Sequence, residues 1–274
     1  MNYIPDGTDE KKALSRTTHL AISAHQDDIE FMAYAPIAEC FGKKDKWFGA
    51  IVVTDGAGSP RSGLYADYTD NEMKAVRVVE QKKAAMVGEY GFLAMLGHPS
   101  REVKDAGNSE IIEELAELIR KAKPKYLYTH NLADKHETHV ATALKVIAAL
   151  RTLSPEEHPE KVFGCEVWRD LDWMNDEEKV YLDCGAHPNL MRALSAVFDS
   201  QIAGGKRYDL AAEGRRLANA TFSASHACDT YSALNYAMDL TPLMDDRVEI
   251  SAYVSGFIDR FKASVKENIE RFLS

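Results

Sequence analysis

The chain has 274 residues, 45% hydrophobic and 28% charged, with a formal net charge of −10 at pH 7. That length buries roughly three quarters of the unfolded surface, so the chain needs no disulfide or metal staples to fold. The acidic balance argues against a nucleic-acid partner, because phosphate backbones are bound by basic surfaces; a small phosphorylated ligand in a local basic pocket stays open. Cys40, Cys165, Cys184 and Cys228 are widely spaced with no C-x-x-C pair, which reads as plain thiols in a reducing compartment. Met1 to Lys12 is polar and lacks the apolar region of a signal peptide. No run approaches the ~20 apolar residues of a membrane span. The expectation is a cytoplasmic protein.

In chain order, residues 1–16 read as a tail packed on the domain. Leu20 to Ala24 is a short apolar run ending in polar punctuation, which predicts a buried strand. Ile29, Phe31, Met32, Tyr34 and Ala35 continue at helical spacing to about Cys40, with a kink or early stop expected at Pro36. Trp47 to Thr54 is the second strand, broken by the turn chemistry of Asp55-Gly56-Ala57-Gly58-Ser59-Pro60. Asn71 to Glu89 is the clearest helix, with Met73, Val76, Val79 and Ala84 marking one face.

Gly91 to Leu96 is a third strand. Ser109 caps a helix striped by Ile111, Ile112, Leu115, Leu118 and Ile119, and Pro124 stops it. Lys125 to Thr129 is a fourth strand, followed by a His-rich loop and a helix from about Thr138 to Leu150. Farther on, Val162 to Trp168 and Val180 to Asp183 read as strands. Asn189 to Asp199, Leu210 to Ser223 and Ile250 to Leu273 read as helices, and Tyr231 to Leu240 fits either. The strand–helix alternation over 18–150 predicts an α/β fold: a mostly parallel sheet with helices on both faces. A single domain is expected, its core at about 18–205 and a C-terminal cap at about 206–274. Ligands sit beyond the carboxyl ends of such strands, so His25, Asp55 and His136 would share one rim.

His25, Asp28 and His139 make a three-ligand set for Zn²⁺ with an open position for water, the catalytic rather than the structural pattern. Asp27, if its backbone is extended, points elsewhere and is free to act as general base. His136 lies three residues before His139 at a helix start and can face the same pocket, to stabilise an oxyanion or protonate a departing amine. That is a toolkit for amide hydrolysis. His136-Glu137-Thr138-His139 is not the H-E-x-x-H motif, since its histidines are one residue too close. Gly56-x-Gly58 fails as a dinucleotide loop for want of a third glycine and a helix start.

Ala24-His25-Gln26-Asp27-Asp28 resembles the AHPDD signature of the PIG-L/LmbE-like zinc-dependent de-N-acetylase family, and Asp134 to His139 resembles its second signature, R-HPDH. Thr54-Asp55-Gly56, the helix from Arg77 to Gly88, and Phe198-Asp199-Ser200-Gln201 are similar to further family elements. The resemblance spans about residues 18–205. It implies a Rossmann-like α/β fold and His25, Asp28 and His139 as zinc ligands. It also implies Asp27 as base, His136 as electrostatic or acid partner, and an N-acetylated amino sugar or sugar conjugate as small-molecule substrate. Homo-oligomerisation is left open. An amidase of a thiol-sugar conjugate and a non-catalytic sugar-binding protein on the same fold are the alternatives.

Gln26 replaces the first motif's Pro, and Glu137-Thr138 replaces the second's Pro-Asp. The missing Asp is the one that orients the catalytic His in relatives, and Asp134 or Glu137 is the candidate substitute for His136. Arg77, His130 and Asp55 are candidate substrate contacts, although an exposed helix arginine paired with Glu80 is the default for Arg77. Ser59, Arg61 and Tyr65 form a loop suited to hydroxyl-rich ligands. His187 could reach the site, His98 reads as loop surface, and His19, His158 and His226 read as structural or solvated.

Overall fold

The computed structural model describes residues 2–223 and 226–273. Its elements begin with β1 (Asn2–Tyr3), α1 (Glu10–Ser15), β2 (His19–Ser23), α2 (Asp28–Met32), α3 (Tyr34–Cys40), β3 (Phe48–Thr54) and α4 (Asp70–Val87). They continue with β4 (Phe92–His98), α5 (Ser100–Val103), α6 (Glu110–Ala122), β5 (Tyr126–His130), α7 (Glu137–Arg151) and β6 (Lys161–Cys165). The remainder is β7 (Val180–Asp183), α8 (Pro188–Ala196), α9 (Asp199–Ile202), α10 (Tyr208–Thr221), β8 (Leu234–Asp239) and α11 (Ile250–Arg271).

The eight strands form one sheet in the order β1-β4-β3-β2-β5-β6-β8-β7. β4, β3, β2, β5 and β6 run parallel; β1 is antiparallel on β4, and β8 is antiparallel to both β6 and β7. The chain builds outward from β2 to β3 and β4, then returns to lay β5 on the other side of β2. Strand order therefore reverses between β2 and β5, and the crevice beyond their carboxyl ends is where such sheets bind ligands.

All five residues of β2 and all seven of β3 are buried, as strands covered on both faces must be. Leu20, Ile22, Ile51 and Val53 pack on one face with Ile119 of α6 and Val146 of α7. Ala21, Ala50 and Val52 pack on the other with Ile37 of α3, Ala84 of α4 and Leu194 of α8. Each fully buried Leu or Ile contributes about 1.5–3 kcal/mol of transfer free energy, so these strands anchor the rim rigidly.

Several expectations change in detail. The early helical run breaks at Ala33, between α2 and α3, rather than at Pro36. Pro36 sits in the first turn of α3, where its missing N–H has no intrahelical partner to lose. Residues 1–16 supply more than a tail: Asn2 and Tyr3 pair with Ala94 and Leu93, and α1 buries Ala13 and Leu14. Ser109 makes no capping bond; Asn108 Oδ1 accepts from the Glu110 N–H instead. Tyr231 to Leu240 resolves as β8, seated between β6 and β7.

His98 is not loop surface, since it ends β4 with its Nε2 2.6 Å from Glu114. His187 is exposed against the Phe41 ring and does not reach the site. Cys40, Cys165 and Cys184 are buried free thiols and Cys228 is an exposed one. No helix among the described residues is long and apolar enough to cross a membrane.

Candidate active site

Beyond β2 the backbone is pinned from both sides. Ala24 accepts from the Thr54 N–H at 2.8 Å, and its own N–H donates to His130 Nε2 at 2.8 Å. Asp27 then adopts φ +81°, ψ −32°, a conformation that costs a non-glycine residue about 1–3 kcal/mol. Its surroundings enforce it. The Asp27 N–H donates to Gln81 Oε1 at 3.1 Å, and its carbonyl accepts the Glu30 and Phe31 amides of α2. The expected extended backbone is thus absent, but the twist has the same result, sending the neighbouring carboxylates of Asp27 and Asp28 to different partners.

Asp28 Oδ2, His25 Nδ1 and His139 Nε2 converge as a triangle: 3.2 Å from His25 to Asp28, 3.2 Å from His25 to His139, and 3.3 Å from His139 to Asp28. A tetrahedral ion with arms of 2.0–2.1 Å needs ligand atoms about 3.3 Å apart, so the triangle has the dimensions of one face of a zinc tetrahedron. The electrostatics agree. Burial opposes charge on Asp28, yet the three histidines around it hold its carboxyl well below the usual range. Burial also opposes charge on His139, but Asp28 and Asp134 outweigh it and push the imidazole up to about 10. The acidic pair calls for a positive charge at that point, which a proton on His139 or a metal ion can supply.

Asp134 answers the question left by the altered second motif, and not as expected. Its Oδ2 lies 3.2 Å from His139 Nδ1 and its Oδ1 accepts the His136 N–H at 2.8 Å. It therefore orients the His139 ring, with Nδ1 toward Asp134 and Nε2 turned to the triangle. Glu137 is exposed and faces Lys104 at 3.8 Å. Neither carboxylate touches the His136 ring; its Nδ1 instead accepts the Thr138 N–H at 3.3 Å as the cap of α7. An accepting Nδ1 leaves the ring proton on Nε2. Burial and the neighbouring His139 and His25 lower the His136 pKa and favour that neutral ring. Asp134→Asn is expected to weaken metal affinity about 10- to 100-fold. Competition against a chromophoric chelator reads it, and an unchanged affinity rules out the orienting role.

Arg77 departs furthest from its default reading. It is 1% exposed, and with Glu80 and Gln81 it forms a polar stripe on the buried face of α4, while Val79 is 50% exposed. Its Nη2 donates to Asp27 Oδ2 at 2.9 Å and to the Gln26 carbonyl; its Nη1 donates to Glu80 Oε2 at 2.9 Å. Glu80 in turn accepts Ser200 N–H and Oγ–H, both at 2.7 Å. A buried chain thus runs from the Phe198–Gln201 element through α4 to Asp27. Burial pushes the Asp27 carboxyl up to about 6 against the pull of Arg77.

Gln26, in the place of the family's proline, donates to the Thr54 carbonyl at 3.2 Å and ties the first motif to the end of β3. Gly56, at φ +76°, closes against it; a Cβ there would meet Gln26 Oε1 at 2.6 Å. Asp55 accepts the Ala57 N–H and pairs with Lys74 at 2.8 Å, shaping this turn from behind.

These residues open into a cavity of 410 Å³ lined by His25, Asp27, Asp28, His136 and His139, with Ser59, Gln201, Trp168, Lys206 and Tyr208 across from them. Asp55 and His130 do not stand on its wall. His130 is fully buried behind His139, the rings stacked 3.9 Å apart, and burial together with His139 lowers it to about 4. Arg61 and Tyr65 hold the loop, on Asp70 and Asp199.

Residues 20–150 match the family model described as GlcNAc-PI de-N-acetylase, PIG-L. Over that span the chain resembles the PIG-L family. The matched span holds both His/Asp motifs, the strained Asp27 and the α4 stripe, while Ser200, Trp168, Lys206 and Tyr208 lie beyond it. No curated protein matches the chain significantly. Solved structures share the fold. A conserved protein of Thermus thermophilus aligns at TM-score 0.63 and 18% identity, over 81% of this chain and 94% of that one. A 4-carboxy-2-hydroxymuconate hydratase from Pseudomonas putida aligns at 0.60 and 15%, over 82% and 95%. An N,N'-diacetylchitobiose deacetylase from Pyrococcus horikoshii aligns at 0.60 and 15%, over 81% and 83%. A hydratase and a deacetylase that share this chain's fold mean that the reaction must be argued from the site.

Proposed function

We propose that this chain is a metal-dependent amide hydrolase that removes the acetyl group from an N-acetylated amino sugar or sugar conjugate. The observation that carries the reading is the His25–Asp28–His139 triangle beside a strained, arginine-braced Asp27 and a neutral His136 in one cavity. His25, Asp28 and His139 would hold Zn²⁺, which when bound supplies Lewis acidity and lowers the pKa of a water to about 7.

The chain's own residues divide the remaining work. Asp27, as general base, takes a proton from the attacking water, and Arg77 holds its Oδ2 so that the carboxylate keeps one orientation. His136 Nε2–H donates to the oxygen that gains charge as the acetyl carbon becomes tetrahedral. A ring already neutral, with Thr138 on Nδ1, favours this role over that of acid. The proton for the departing amine then comes back from Asp27, and the C–N bond breaks to leave acetate and the free amino sugar.

Metal-titrated protein assayed for acetate release across a panel of N-acetyl sugars tests the reading. The expected result is release that vanishes on chelation and returns with one equivalent of Zn²⁺. Stoichiometric metal binding with no acetate release from any member would instead favour a non-catalytic sugar-binding protein.

A further inference from the structure

The catalytic cavity does not end at His136. It shares Phe31, Val167, Trp168, Lys206 and Tyr208 with a second cavity of 260 Å³, lined farther on by Glu166, Asp170, Arg207, Arg215 and Tyr236. Drug- and substrate-sized ligands occupy pockets of about 300–1,000 Å³, and the joined pair falls in that range.

Most charges of the second cavity are neutralised internally. Arg207 pairs with Asp209 at 2.8 Å. Arg215 donates to the Val167 and Arg169 carbonyls at 2.7 and 3.0 Å and faces Asp170 at 3.9 Å. Glu166 accepts the Leu171 N–H and the Trp173 indole N–H. Lys206 differs. Its ammonium lies 5.4 Å from the centroid of the Trp168 ring, and it has no carboxylate partner among the described residues.

In a chain of net charge −10, carboxylates are in excess, so a half-buried ammonium left without one at the junction of two cavities is a position held for an incoming anion. The indole face keeps the cation partly desolvated and in place. An anion there gains a charge-assisted hydrogen bond. Trp168 and Tyr208 meet edge to face at 5.8 Å, and Tyr208 and Phe31 at 5.5 Å, giving the shared wall aromatic faces suited to the C–H face of a sugar ring.

We propose that the second cavity is a subsite for the part of the substrate beyond the acylated sugar, and that Lys206 selects there for an anionic group, a phosphate or a carboxylate. The inference rests on the sugar-deacetylase reading, and its test is a binding measurement that needs no turnover.

Zinc-loaded Asp27→Asn protein is titrated by calorimetry with N-acetylglucosamine 1-phosphate, with N-acetylmuramic acid as the carboxylate arm, and with the uncharged methyl glycoside of N-acetylglucosamine. One of the two anions is expected to bind tighter than the glycoside, and which one identifies the source of the charge. Adding Lys206→Gln is expected to weaken that ligand about tenfold to a hundredfold, collapsing the charged-to-neutral ratio, and Lys206→Arg to restore most of it. Equal affinity for charged and neutral sugars, a ratio indifferent to Lys206→Gln, or no binding of any of the three overturns the subsite. Absence of acetate release by the wild type, in contrast, would overturn the hydrolase reading while these titrations still decide the subsite.

Discussion

Asp27→Asn is expected to lower turnover by a factor of about 10²–10⁴, the usual contribution of a positioned general base, and to leave metal content at one ion per chain. Asparagine is the informative replacement. It keeps the side-chain shape and tolerates the left-handed backbone at φ +81°, whereas alanine adds strain to the loss of the carboxylate. The His25–Asp28–His139 triangle contains no atom of Asp27, so metal analysis of the purified variant separates loss of the proposed base from collapse of the site. Turnover within a few-fold of wild type would falsify the assignment of Asp27 as base. Loss of the metal together with the activity would show that the Asp27 turn also holds Asp28 and His25 in register.

The sheet was legible because β2, β3 and β5 are continuous apolar runs punctuated by turn residues, and a run that must be covered on both faces has few other ways to fold. The rim was legible for the same reason, since His25, Asp55 and His136 follow strand ends. What the pattern hid was polar burial. Arg77, Glu80 and Gln81 recur at i, i+3 and i+4 on the helix face that also buries Met73 and Ala84, so a period-3.6 count extended to polar residues would have found them. An apolar template scores Val79 instead, although it faces solvent.

The role of Asp134 was hidden differently. His136 is the nearer of the two histidines in sequence, and only the turn before α7 decides that the Asp134 carboxylate meets the ring of the farther one, His139. Trp168, Lys206 and Tyr208 come from segments with no catalytic spacing at all. They reach the cavity because β6 lies next to β5 and because the chain after α9 folds back over the rim.

Arg77→Met is expected to destabilise the fold by about 3–5 kcal/mol, the cost of leaving a buried charge without its partner, read as a shift in the urea midpoint. The argument begins from burial: Arg77 is 1% exposed, Asp27 5% and Glu80 5%, and the guanidinium bridges the two carboxylates at 2.9 Å each. Methionine fills the aliphatic volume, so the loss isolates the charge.

The sign with pH follows. Burial already raises the Asp27 carboxyl to about 6 against the pull of Arg77, and without Arg77 it rises further. The destabilisation is then full above that further-raised value and shrinks as the pH falls toward about 6. The deficit at pH 8 should therefore exceed that at pH 5. Glu80→Gln added to Arg77→Met should recover part of it, because the two residues share one network and their effects do not add. A substrate-binding Arg77 predicts the opposite pattern: a raised KM, an unchanged urea midpoint and no interaction with Glu80. A loss below about 1 kcal/mol with a raised KM would move Arg77 from beneath Asp27 to the substrate, and Asp27 would then need another group to hold its carboxylate in the cavity.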